Sequence, residues 1–109
     1  MAEEYKSVTG SLTTTAITDV LTVPALTKYL IRSIYIGNID PALDSGISVS
    51  VFKSADSTDR YLIKVALVPI QASLQILTEP LVLEAGDVLD LQAADANVLD
   101  YVISYLVIT

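Results

Sequence analysis

A chain of 109 residues is sized for one domain with a modest core. It carries thirteen Asp+Glu against six Lys+Arg, a net charge of -7, and neither cysteine nor histidine. Those counts exclude disulfides, thiolate metal sites and His-based catalysis, and they argue against a nucleic-acid partner, whose phosphates need clustered cations.

The start, Met1-Ala2-Glu3-Glu4, is acidic, the opposite of the basic opening of a secretory signal. No apolar run approaches the roughly 20 residues of a membrane helix, so no membrane partner is expected and the expected site of synthesis is the cytoplasm. Residues 1–10 are polar apart from Tyr5 and Val8 and read as an N-terminal arm or edge strand, suited to order against a neighbouring subunit. Ser11 to Val23 is rich in Thr, Val, Leu and Ile, which favours extended structure over the alternative of a helix, and Pro24 ends it. From Thr27 to Ile39, Tyr29, Ile31, Tyr35 and Ile39 share one face and Leu30, Ile34 and Ile36 the other. Two apolar faces mean either a bulge near Arg32 or Ser33 or a strand covered on both sides; covered faces are the expectation.

Asp40 to Gly46 is a loop with an Asp-Pro start and a Ser-Gly end. Ile47, Val49 and Val51 then alternate with Ser48, Ser50 and Phe52. After a polar connection, Tyr61, Ile63, Val65 and Leu67 alternate with Arg60, Leu62, Lys64 and Ala66, and the two runs form a hairpin. Ser73 to Leu77 is a short strand. The stretch Leu81 to Ala93 folds two strands across a turn at Gly86-Asp87; Leu89, Leu91 and Ala93 share the inward face. In the last strand Leu99, Tyr101, Ile103, Tyr105 and Val107 form the strongest apolar face.

About eight strands at spacings of roughly 8–12 residues predict an all-β chain: an antiparallel, jelly-roll-like β-sandwich over residues 11–109. The hydrophobic fraction is 52% and the mean hydropathy +0.58, high for a small domain with much surface. Part of that apolar content is expected to meet another chain.

Each candidate constellation has a plainer reading. Asp56 with Asp59, Asp40 with Asp44, and Asp95 with Asn97 and Asp100 read as solvated loop acids, with a weak calcium site as the alternative. Glu84 and Asp87 flank the Gly86 turn; turn chemistry is the expected role, a glycosidase-like acid pair the alternative. No catalytic residue and no cofactor is expected. The tyrosines sit mostly in phase with core residues, which points to core or subunit contacts ahead of sugar stacking. Phe52 faces away from its strand's apolar side and is the best single interface anchor; Tyr5, Val8, Tyr29, Tyr35 and Leu62 are the further interface candidates.

The runs Tyr29 to Asp40, Ile47 to Val51, Leu81 to Ala93 and Val102 to Ile108 together resemble small virion structural proteins of tailed bacteriophages, over about residues 20–109. Such proteins are β-sandwich modules used as capsid decoration (cement) proteins and in neck, tail and fibre components. The Leu83-x-x-Gly86-Asp87-x-Leu89 pattern is also similar to trimeric jelly rolls of the tumour-necrosis-factor and C1q type. The resemblance implies a virion protein without catalytic residues, made in the host cytoplasm, that forms homo-oligomers, commonly trimers, and clamps the major capsid protein or other virion proteins. A receptor- or glycan-binding tail module is the alternative.

Overall fold

The computed structural model describes residues 2–109; Met1, part of the expected arm, lies outside them. Among the described residues nine strands form: β1 (Glu3–Ser11), β2 (Thr18–Thr22), β3 (Lys28–Asn38), β4 (Ser45–Lys53), β5 (Thr58–Val68), β6 (Ser73–Gln75), β7 (Leu81–Leu83), β8 (Val88–Ala93) and β9 (Leu99–Ile108). One sheet, here sheet A, runs β1-β9-β3 and then β6 and β7, which pair with different halves of β3. The other, sheet B, runs β2-β8-β4-β5, and all pairings are antiparallel. With β6 and β7 taken as one interrupted strand, the pairs are first with last, second with next-to-last, and so inward to the β4–β5 hairpin. That is one long hairpin wrapped into two layers, the jelly-roll sandwich expected from the strand spacing.

Period two places the core. Ile47, Val49 and Val51 of β4, Leu89, Leu91 and Ala93 of β8, and Leu99, Ile103 and Tyr105 of β9 all face the interior and are buried. Each fully buried large aliphatic side chain contributes roughly 1.5–3 kcal/mol.

The expectation that β3 is covered on both faces is corrected. Its register against β9 slips between Ile31 and Ser33, so Arg32 is an extra residue. The bulge switches the inward phase from Tyr29 and Ile31 to Ile34 and Ile36, and turns Tyr35 and Ile39 outward. On the strand's other side β6 ends opposite Tyr35 and β7 begins opposite Ile31, which leaves a gap in the ladder where the Ile76 N–H still reaches the Ile34 carbonyl at 2.9 Å. The Gln75 side chain fills this gap: its Oε1 accepts the Ile34 N–H at 2.9 Å.

The single expected face of β5 is also corrected. Two slips against β4 carry Ile63, Ala66 and Val68 inward and leave Val65 and Leu67 exposed. Val65 adopts φ 54°, and its N–H is taken by Ser48 Oγ at 2.9 Å. The extended run expected over Ser11–Val23 is interrupted: β1 ends at Ser11, residues 12–17 carry the chain from sheet A to sheet B, and β2 takes up Thr18–Thr22.

Replacing Gln75 with Leu strands a partly buried N–H in the β3 gap. The substitution is expected to destabilise the protein by about 1–3 kcal/mol, read as a lower urea midpoint at unchanged m-value.

Candidate functional site

The outward face of sheet A carries a run of exposed apolar side chains. Register places Tyr5, Leu106, Leu30 and Val82 side by side across four strands, and Val102 beside Tyr35 in a second row. Tyr5 is 70% exposed, Val82 52%, Tyr35 47% and Val102 44%. Leu106 is buried in the middle of its row. Between the two rows lie Ser7, Ser104 and Ser33, again in register.

The β3 bulge sits at this serine row. It lifts Arg32 out of the alternation and sets its guanidinium 5.7 Å from the centre of the Tyr5 ring, a cation–π contact. Tyr5, Lys6, Ser7, Arg32, Ser33 and Ser104 line a shallow groove of about 520 Å³. No acid lines it, and neither Lys6 nor Arg32 forms an ion pair among the described residues. The groove therefore presents two cations and a floor of hydroxyls on a chain that is acidic as a whole.

The expected interface residues divide between the two layers. Tyr5 and Tyr35 both lie on the outward face of sheet A, in separate rows on either side of the serine row. Val8 and Tyr29 turn inward and pack against the core, where Tyr29 lies 4.9 Å from Tyr105 between ring centres. Phe52 is half-buried on the outward face of sheet B, and Leu62 is exposed on edge strand β5. Sequence patterning did not single out Arg32 or the serine row. The one available signal was the broken alternation around Arg32-Ser33.

Glu84 and Asp87 take different roles at the β7–β8 turn. Asp87 is 1% exposed. Its Oδ2 accepts Lys53 Nζ at 2.6 Å and the Glu84 N–H at 2.9 Å, and its Oδ1 accepts the Ser54 N–H at 3.0 Å. Glu84 is exposed and contributes its backbone. Gly86 adopts φ 87°, and a Cβ there would meet Ser54 Oγ at 2.9 Å, so both the turn and the approach of the β4–β5 connection require glycine. This is a structural clasp joining two connections.

The loop acids are engaged locally. Asp40 Oδ1 accepts the Ala42 and Leu43 N–H groups, Asp44 accepts the Ile70 N–H, and Asp95 accepts Ser45 Oγ. Asp56 accepts from Thr58 and Arg60, which hold its carboxyl below the usual range. No group of three or more acidic, His or Cys side chains among the described residues is arranged to hold a metal ion. Comparison with known proteins finds no matching family model and no matching curated protein.

Burial alone would raise the Asp87 pKa, but the Lys53 ammonium and the Glu84 and Ser54 amides outweigh it and hold the carboxyl below its ordinary value. Its contribution is thus present above the unfolded-state pKa near 4 and is lost as pH falls through the lower folded value. Asp87→Ala is expected to cost about 3 kcal/mol at pH 7. The gap between wild type and variant should narrow below about pH 4 in thermal melts.

Proposed function

We propose that this chain is a non-enzymatic structural protein of a tailed-phage virion, most simply a capsid decoration protein. In this reading its copies associate, as trimers, through the outward face of sheet A and bind capsid subunits. The observation that carries the reading is the run of Tyr5, Leu30, Val82 and Leu106 beside Tyr35 and Val102 on one sheet face. A second copy suits that face better than solvent. Lys6, Lys28 and Arg32 balance Glu3, Glu84 and Asp100 there, so copies can approach without the repulsion that a net charge of -7 imposes elsewhere. The resemblance of Tyr29 to Asp40 and Leu81 to Ala93 to decoration-type modules supports the virion assignment.

Sedimentation velocity at tens of micromolar is expected to find an oligomer. Tyr35→Glu combined with Val102→Lys should leave a folded monomer, with its circular dichroism spectrum unchanged. A wild-type monomer would sink the association. Mass spectrometry of purified virions should find hundreds of copies per particle, whereas a dozen or fewer would move the protein to a neck or tail.

The Arg32 groove favours a second reading, a module that recognises an acidic glycan. On a glycan array this reading expects binding to carboxylated sugars that is lost in Arg32→Gln. A decoration protein should bind none.

A further inference from the structure

Asp19 of β2 and Asp90 of β8 are direct cross-strand partners. Leu89 and Leu91 face the core, so Asp90 between them lies on the outward face of sheet B, with Asp19 beside it. Asp19 is exposed, but Asp90 is only 6% exposed, and its Oδ1 is buried without a hydrogen-bond partner. On the β4 side Asp90 stands opposite Ser50, itself buried, and Ser50 stands opposite Tyr61 of β5.

The surrounding charges offer no relief. From β5, Asp59 adds a further negative charge. Lys64 lies over the Tyr61 ring at 5.1 Å. Lys53 is paired with Asp87 and Arg60 with Asp56, and neither Asp19 nor Asp90 has an ion-pair partner among the described residues. Val88, Gln92, Ser48 and Phe52 complete the surround on β8 and β4 and carry no charge. Two adjacent carboxylates, one of them desolvated, cannot both stay ionised without a compensating positive charge.

We propose that Asp19 and Asp90 share one proton on the acid side of neutral pH, and that this proton makes the β2–β8 seam a pH-sensitive lock that tightens on acidification. The proton rests on the buried Asp90, which donates it to the exposed Asp19 carboxylate. This gives the stranded oxygen a role and removes the repulsion across the seam. The seam is where such a lock would matter, because β2 is five residues long, slips register between Asp19 and Leu21, and has β8 as its one sheet neighbour.

Desolvation first, then the hydrogen bond and charge of Asp19, then the charge of Asp59 push the Asp90 carboxyl up to about 7. In the unfolded chain it returns to about 4. Between those values the folded protein holds the proton more tightly than the unfolded chain. Stability therefore falls as pH rises through the window and levels off above it.

The test is carbon-detected NMR titration of the side-chain carboxyls, with thermal melts from pH 5 to pH 8. In the wild type, Asp90 should titrate near 7, and Tm should fall by roughly 5 °C or more across that range. In Asp19→Asn the amide can donate to Asp90, so the Asp90 midpoint should drop and the fall in Tm should shrink, while the desolvation of Asp90 and the charge of Asp59 keep part of both. Glu79→Gln removes a remote exposed acid and should leave the fall intact. A wild-type Asp90 midpoint in the ordinary carboxylate range overturns the proposal, and that measurement needs no variant to fold. An unchanged fall in Asp19→Asn also overturns it. So does recovery of the pH 5 Tm at pH 8 on adding millimolar calcium chloride, since the compensating charge would then be a metal ion.

Discussion

Asp87 closes one end of the sandwich. Its carboxylate joins the β7–β8 turn to the β4–β5 connection through Glu84, Lys53 and Ser54. The backbone around it holds a third segment: Val23 N–H donates to the Asp87 carbonyl, and Gly86 N–H donates to the Val23 carbonyl. Since β7 lies in sheet A while β4 and β8 lie in sheet B, the clasp couples the two layers at a place where no aliphatic side chain could. A buried carboxylate is tolerable because several donors surround it, one of them an ammonium.

The same rule governs the rest of the framework. At two of the places where the ladders break, a polar side chain replaces the missing backbone partner. Gln75 serves Ile34 at the gap in β3, and Ser48 serves Val65 at the slip in β5. Asn38 is buried, donates to the Leu43 and Val68 carbonyls, and accepts the Asp40 N–H, which pins the β3–β4 loop to the end of β5. These repairs let β3 and β5 change phase part-way along. The phase change in β3 in turn puts Tyr35 and Arg32 on the outside of sheet A. The character of that face is therefore a consequence of how the bulge is satisfied.

Regular alternation made much of this legible before any coordinates. In β4, β8 and β9 the apolar positions recur at strict period two, so their inward faces could be read directly, and the strand spacing pointed to a two-layer jelly roll. β3 was ambiguous because Leu30, Ile31, Ile34, Tyr35 and Ile36 satisfy both a bulged and a doubly covered strand. Only the partner strand decides between them, and β9 supplies no residue opposite Arg32. Leu62 and Val65 hid the slips in β5 in the same way, since apolar residues on both phases erase the signal. The serine row and the buried Asp90 were illegible for a different reason. Each becomes a site only when strands distant in the chain come into register, and a serine or aspartate in an alternating strand reads as an ordinary outward residue until its neighbour is known.

An apolar sheet face invites uncontrolled association unless the edges are closed to further strands. Here each edge among the described residues is blunted. β1 carries Glu3, Glu4 and Lys6, and β5 carries Asp59, Arg60 and Lys64 along with two register slips. β2 is short, and the edge beyond β3 is split between two three-residue strands. Ladder extension is disfavoured on every side, so in the proposed association the contact between copies would fall to side chains on the face of sheet A. Side-chain packing fixes the angle between copies, and where that angle is a closed rotation it gives a defined oligomer in place of an open fibre.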